Sequence, residues 1–271
     1  MMFKTKFVLK GGSTMAKTFL WILVMIVFTP CIVFAQKDVT IELEGRYWFT
    51  ELQGKIKVTD SNGIGTDIDL KDDLGIKDEG IPELRLTWYP GKKSKIWAAY
   101  AQVGYEGDEN IQKTIEFNGV TYPLAARVTT DVDIQYLNLA WAWQFINIDN
   151  GFFKLGTLLE AKVFWVKASL EAPDLSPPVK ESDKFVFGLP TLGVALDFNP
   201  HRMLNIYAQG SGLYAGSYGY LYDAEIGIKL IPIKILSIVG GYRIMQFRAE
   251  HDDDYAKVKL QGPFVGVTVR F

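Results

Sequence analysis

The sequence predicts an all-β fold, an antiparallel up-and-down β-barrel that spans a membrane with about ten strands, eight or twelve being the alternatives. Three observations predict it. Apolar side chains fall on every second residue through segment after segment of the chain, which is the period of a strand with two unlike faces. The connections between these segments alternate between tight and long, as they do when one end of a barrel is closed by turns and the other carries loops. The last segment, 261–271, sets Val265, Val267, Val269 and an aromatic terminus, Phe271, on one face, with Gly266, Thr268 and Arg270 on the other.

The elements follow in order. Lys4, Lys6, Lys10 and Lys17 precede and enter an apolar stretch, 19–28, and Val33-Phe34-Ala35 supplies a cleavage-site pattern. Residues 1–35 therefore read as a secretory signal peptide and 36–271 as the barrel, the mature chain starting at Gln36. Met15 opens a more ordinary signal than Met1, and Phe28-Thr29-Pro30 before Cys31 is no lipoprotein box. The single cysteine leaves with the signal, so no disulfide forms. The mature chain has 25 basic and 31 acidic residues, a net charge of −6 with no basic surplus for nucleic acid. Its apolar runs reach roughly eight residues, far short of the roughly 20 that a spanning helix needs. A closed sheet is the other structure that satisfies every backbone group inside hydrocarbon.

Ten strands are expected over 39–50, 81–89, 96–107, 131–146, 152–171, 185–198, 203–214, 222–231, 235–248 and 257–271. In the first, Val39, Ile41, Leu43, Tyr47 and Phe49 oppose Glu42, Glu44, Arg46 and Thr50; in the second, Leu84, Leu86 and Trp88 oppose Glu83, Arg85 and Thr87. The third follows a tight turn, 90–94, and opens near Trp97. The fourth ends with Trp141, Trp143 and Phe145 at the turn 147–151, and the fifth leaves that turn with Phe152-Phe153. In the sixth, Leu192, Val194, Leu196 and Phe198 oppose Thr191, Ala195 and Asp197, before the turn 199–202. The seventh, with Gly210, Gly212 and Gly216 nearby, is weaker. The eighth sets Tyr222, Ala224, Ile226, Ile228 and Leu230 against Asp223, Glu225 and Lys229, and a turn at 231–234 leads to the ninth. The tenth changes parity near Gly262-Pro263, which suits a bulge or an exit from the membrane.

Four tight and five longer connections (51–80, 108–130, 172–184, 215–221, 249–256) leave both termini on the tight-turn side. Within the second long connection, 114–122 is itself a hairpin signal and is expected to extend above the membrane. A soluble β-sandwich or a lipocalin-like barrel alternates in the same way with its faces exchanged. The signal peptide, Phe271 and the aromatic residues Trp88, Tyr89, Trp97, Trp141, Trp143, Phe145, Phe152, Phe153 and Phe198 beside the tight turns decide for the membrane.

Signal peptide, alternating strands, unequal connections and the closing Val-Gly-Val-Thr-Val-Arg-Phe together resemble Gram-negative outer-membrane β-barrel proteins of the porin-like class. The resemblance implies residence in the bacterial outer membrane among its lipid and lipopolysaccharide. It also implies that Val265, Val267, Val269 and Phe271 form the signal read by the barrel-assembly machinery.

Inward parity assigns Glu44, Arg46, Glu83, Arg85, Lys154, Glu160, Lys162, Asp223, Glu225, Lys229 and Arg243 to the lumen. Both signs are present, so mutual pairing is the plain expectation and a narrow hydrophilic path the sharper one. Wide aqueous pores need roughly 16–18 strands, so a general porin is not expected. His201 lies in a tight turn. His251, in Glu250-His251-Asp252-Asp253-Asp254, falls on the last long connection, beside a first connection that carries Asp67, Asp69, Asp72 and Asp73. These residue types resemble those of the omptin proteases of the outer membrane, which are also ten-stranded. Clustered carboxylates also suit a divalent cation, though without EF-hand spacing. Ser217, Ser176 and Ser182 lack a nucleophile elbow, and there is no GxxxxGK[ST], HExxH or CxxC. The expected function is non-enzymatic: an envelope structural role or narrow solute passage, without cofactor or metal. An omptin-like hydrolase and a surface adhesin or receptor are the alternatives.

Overall fold

Alternation along the chain becomes ten antiparallel staves in a closed ring. The computed structural model describes residues 40–59, 65–117, 120–251 and 254–271; the expected signal peptide lies outside the described residues. The strands are β1 (Thr40–Phe49), β2 (Glu51–Thr59), β3 (Gly65–Asp69), β4 (Gly80–Gly91), β5 (Ser94–Asn110), β6 (Ile115–Phe117), β7 (Val120–Tyr122), β8 (Arg127–Ile148), β9 (Phe153–Ala172), β10 (Val179–His201), β11 (Leu204–Tyr214), β12 (Gly219–Ile233), β13 (Leu236–His251) and β14 (Asp254–Arg270). The wall runs β1-β4-β5-β8-β9-β10-β11-β12-β13-β14 and closes by pairing β14 with β1. Each of the ten expected strands lies on one of these staves. Both ends of the described chain sit at the tight-turn end, where Phe271 N–H bonds Ile41 O at 2.9 Å.

The faces are those of a barrel in lipid. Ile41, Leu43, Tyr47 and Phe49 of β1 are exposed while Glu42, Glu44 and Arg46 are buried. Leu84 and Leu86 of β4, Leu192 and Val194 of β10, and Ile226, Ile228 and Leu230 of β12 are likewise exposed, and Glu83, Arg85, Thr191, Asp223 and Glu225 buried. Each such Leu or Ile gains about 1.5–3 kcal/mol by leaving water, so this exterior is complementary to hydrocarbon. A soluble sandwich would carry the opposite arrangement.

Three expectations are corrected. The long connections are mostly strand: β8, β9 and β10 run for 22, 20 and 23 residues, because an antiparallel ladder satisfies backbone groups equally well above the lipid. The hairpin β6–β7 turns inward instead of standing free. Ile115 and Tyr122 are fully buried, and Tyr122 Oη donates to Leu170 O at 3.1 Å. With Leu52, Ile68, Leu74, Ile76, Ile111, Val128 and Leu170 they form an apolar core inside the outer part of the barrel. Third, β14 keeps its parity through Gly262-Pro263: Leu260, Gly262 and Phe264 all face inward. Lys257, Lys259 and Gln261 face out beyond the apolar belt, where β14 pairs with β2, and Trp48 opposite Phe264 and Glu51 opposite Gln261 belong to one unbroken register.

The inner aromatic belt is real but smaller than expected. Trp141, Trp143, Phe145 and Phe152 are exposed, and Phe152 meets Phe198 edge-on at 4.9 Å. Trp97, expected among them, is 2 % exposed inside the barrel, its ring 5.8 Å from the Arg85 guanidinium. Tyr89 also turns inward, its hydroxyl 3.3 Å from Glu42 Oε2. A tryptophan that faces charge gains a cation–π contact, which repays its position on the polar face.

Candidate functional site

Below the apolar core the interior is charged. In β1, Glu44 and Arg46 are two residues apart, so the pleat turns both inward. Arg46 Nε donates to Glu44 Oε1 at 2.9 Å and Nη1 reaches Glu225 Oε2 on β12 at 2.8 Å. In β4 the same spacing brings Arg85 Nη2 to Glu83 Oε1 at 3.2 Å and to Glu225 Oε2 at 3.6 Å. Arg243 of β13 clasps Asp223 through Nε at 3.0 Å and Nη2 at 2.8 Å, and donates Nη1 to Glu83 Oε2 at 2.8 Å. Lys162 of β9 bonds Asp223 at 2.8 Å and Glu160 at 2.9 Å. Glu160 also accepts from Asn138 at 2.7 Å, and from Thr191 and Ser211. Nearer the tight-turn end, Lys229 lies 3.2 Å from Glu42 and 3.4 Å from Glu44, and Arg270 pairs with Glu42.

Six cations (Arg46, Arg85, Lys162, Lys229, Arg243, Arg270) thus meet six anions (Glu42, Glu44, Glu83, Glu160, Asp223, Glu225). Lys154, half-buried near the tight-turn end, does not join them. Several of the pairs are chords of the ring, joining strands that are not neighbours in the wall, while Arg46–Glu44, Arg85–Glu83, Arg243–Asp223 and Arg270–Glu42 lie within one strand or between adjacent ones. β1 and β12 stand three places apart, β4 and β12 four, and β8 and β13 five, which is the full diameter. Tyr136 of β8 closes that diameter: its hydroxyl lies 3.4 Å from both Arg243 Nη2 and Lys162 Nζ. Trp48 also lies against Arg243, 4.8 Å from ring centroid to guanidinium. At this level the interior is filled with side chains.

The acidic first connection is occupied by its own backbone. Asp69 Oδ1 accepts from the N–H groups of Lys71 and Asp72 at 3.0 and 3.2 Å, and Asp73 Oδ2 from Asp69 N–H at 2.8 Å and Lys113 Nζ at 2.7 Å. Burial would raise the Asp73 carboxyl, but the bonds from Lys113 and the Asp69 N–H hold it below its ordinary range. The first and last connections do adjoin, since Tyr255 Oη bonds Asp67 Oδ1 at 3.0 Å. Of the residues that resemble a protease pair, the His251 side chain and Asp252 lie outside what is described. His201 accepts from Met203 N–H at 3.3 Å in an exposed turn, Ser217 sits in an exposed turn, and Ser182 is exposed on β10. Among the described residues no three His, Cys, Asp or Glu side chains are grouped to hold a metal ion.

An apolar belt outside a closed ring, with paired charge inside it, leaves one environment for this wall. The chain is an outer-membrane β-barrel. No family model and no curated protein matches its sequence. Among solved structures, the barrel is similar to the outer-membrane protease OmpT from Escherichia coli, at 8 % identity and a TM-score of 0.54 over 88 % of this chain and 99 % of that one. It also matches the translocator domain of the autotransporter NalP from Neisseria meningitidis (9 %, TM-score 0.45, 96 % and 98 % covered) and Ail, the attachment invasion locus protein of Yersinia pestis (12 %, TM-score 0.38, 87 % and 100 %). At these identities the likeness to OmpT is one of fold.

Sequence reasoning passed over several members of the barrel's interior. Trp48, Tyr136, Tyr207 and Phe264 are buried there, Tyr207 donating to Glu225 at 2.7 Å. The signal was present. Trp48 shares the parity of Glu44 and Arg46, and Tyr136 that of Asn138, so an aromatic residue on a polar face marks a partner for charge.

Proposed function

We propose that this barrel is a non-enzymatic, non-conducting structural element of a Gram-negative envelope, exported on its signal peptide and embedded among outer-membrane lipid and lipopolysaccharide. The contact of Arg243 with Tyr136 across the diameter carries the reading: a solute path would have to part a network in which each guanidinium is bonded to at least one carboxylate. The apolar core above it, with Tyr122 and Ile115, is a second obstruction. Separating such buried pairs costs several kcal/mol each, so thermal opening is rare. The engagement of Asp69 and Asp73 by backbone and Lys113 supports the non-enzymatic part, and fold shared with a protease transfers no activity.

Planar-bilayer recording of the purified protein tests this. The expected trace is flat, with brief low-conductance events at most, and steady porin-sized steps would overturn the proposal. Whole-cell peptide cleavage that disappears with His251→Ala would instead favour the omptin-like hydrolase.

A further inference from the structure

β10 is flanked by strands on both sides for only part of its length. Toward β9 it pairs from Val179 to Phe198, but toward β11 its pairing starts at Leu192, opposite Gly212, and runs down to His201. β11 ends at Tyr214, which this register sets opposite Pro190. Above that level no strand among the described residues pairs with the second edge of β10. Residues 182–189 form a sheet edge rising past the hairpin between β11 and β12.

The inner side of this edge is supported. Phe187 stacks between Phe164 and Phe247, with centroids 5.0 and 5.3 Å away. Two apolar side chains of the edge are open: Val186 is 62 % and Phe185 41 % exposed. A bare edge offers alternate N–H and C=O groups to any extended chain, and proteins commonly blunt it with proline or charge. Here proline bounds the edge at Pro177-Pro178 above and Pro190 below, leaving a proline-free window between. Within it Lys184 lies directly opposite Lys167 of β9; Lys167 has Asp133 of β8 opposite it on its other side, whereas Lys184, at the edge, has no acid opposite it, and neither lysine makes an ion pair with a described residue. Like charges opposed across a ladder are unfavourable, so an added carboxylate is welcome there.

We propose that this edge binds an extended segment of another protein by strand addition, the incoming strand placing a carboxylate beside Lys184 and apolar residues beside Phe185, Val186 and Phe187. Backbone bonds supply the affinity and the side-chain pattern the selection. A second copy of this chain is the poorer occupant. The outward face of the window carries Ser182, Lys184, Val186 and Gly188 and no acid, so a two-fold pairing of edges puts no carboxylate beside either Lys184.

The test uses the full-length folded protein in micelles and a fluorescent peptide, Thr-Val-Val-Ile-Val-Glu-Thr-Thr. Binding is followed by anisotropy, and the bound region by amide hydrogen exchange. The expected result is saturable binding that slows exchange within 182–189, weakened at least about tenfold when alternate peptide nitrogens are methylated. Lys184→Glu, which leaves the fold and the backbone edge intact, is expected to weaken binding about tenfold and to be rescued by a peptide with Lys in place of Glu. Absence of binding, binding without protection at 182–189, or equal binding of the methylated peptide overturns the proposal. So does concentration-dependent protection of the same residues without peptide, which would assign the edge to a second copy.

Discussion

Arg243 and Tyr136 come from strands that face each other across the whole ring, yet guanidinium and hydroxyl lie 3.4 Å apart. The span is closed because Arg243 reaches inward to both Trp48 and Tyr136, 4.8 and 5.7 Å from the two rings, while its fork holds Asp223.

Removing that arginine leaves Asp223 and Glu83 each short of a buried partner. Arg243→Ala is expected to lower unfolding stability by about 3–5 kcal/mol, read from denaturant unfolding in lipid vesicles. Neutralising the set together, with Arg243→Met, Asp223→Asn and Glu83→Gln, is expected to cost less than the single change. A larger loss in the triple variant would mean that the pairs contribute net stability and not mutual compensation.

Leu86 faces lipid and Gln261 faces out above the belt. Leu86→Arg is expected to destabilise by about 2–4 kcal/mol in a bilayer, whereas Gln261→Arg stays within about 0.5 kcal/mol. Equal effects at the two sites, measured by the same unfolding assay, would contradict the placement of the belt.

Gly262 adopts φ +157°, and a methyl group there would lie 1.8 Å from Phe49 O across the seam between β14 and β1. Gly262→Ala is therefore expected to weaken closure by about 1–3 kcal/mol or more. The heat-modifiable, fast-migrating band of the folded barrel should fade at a lower temperature. Gly45, with nothing near its missing Cβ, is the control.

Asp73 ties the outer segment after β3 to Lys113, and its carboxyl is held below the ordinary range. A carboxylate with a depressed folded-state pKa stabilises above its unfolded value and loses that contribution as pH falls through the folded one. The segment 69–79 is thus expected to loosen only below roughly pH 4, seen as new pepsin cleavage there. Asp73→Asn should be cleaved without such a threshold.

Phe271 is 73 % exposed, and Val265 and Val267 about half-exposed, at the seam end. If they are the assembly signal, deleting Phe271 is expected to cut the outer-membrane level several-fold in cells while leaving refolding of purified protein in detergent little changed. Loss in both settings would assign Phe271 to stability alone.

Much of the wall was legible because one face of each strand must meet lipid: in β1, β4, β10 and β12 a shift of one residue would turn Glu44, Glu83, Thr191 or Asp223 into hydrocarbon. Above the belt that constraint lapses. There the outward face of β8 to β10 turns polar, with Asp131, Lys167 and Lys184, while the inward face carries Val128, Leu170 and Phe187 of the apolar core, so the lipid-facing pattern ends although the ladder goes on. Trp97 and Tyr89 lie inside and not in the belt for a related reason, since an aromatic ring suits either an interface or a cation. That β6–β7 folds inward depends on Tyr122 finding Leu170 O, forty-eight positions along the chain, a pairing that local pattern does not encode.

Because Arg46–Glu225, Arg85–Glu225, Lys229–Glu42 and Arg243–Glu83 join β12 or β13 to β1 or β4, these partners meet only after the sheet has curled round. A half-rolled intermediate would hold Arg46 far from Glu225 and Arg243 far from Glu83, with those contacts still replaced by water. Dehydration of the middle of the molecule must then coincide with fastening of β1 to β14, making late assembly abrupt. Arg243 meets Asp223 as soon as β12 and β13 pair, but like a keystone it takes up Glu83 only when the last stave is standing.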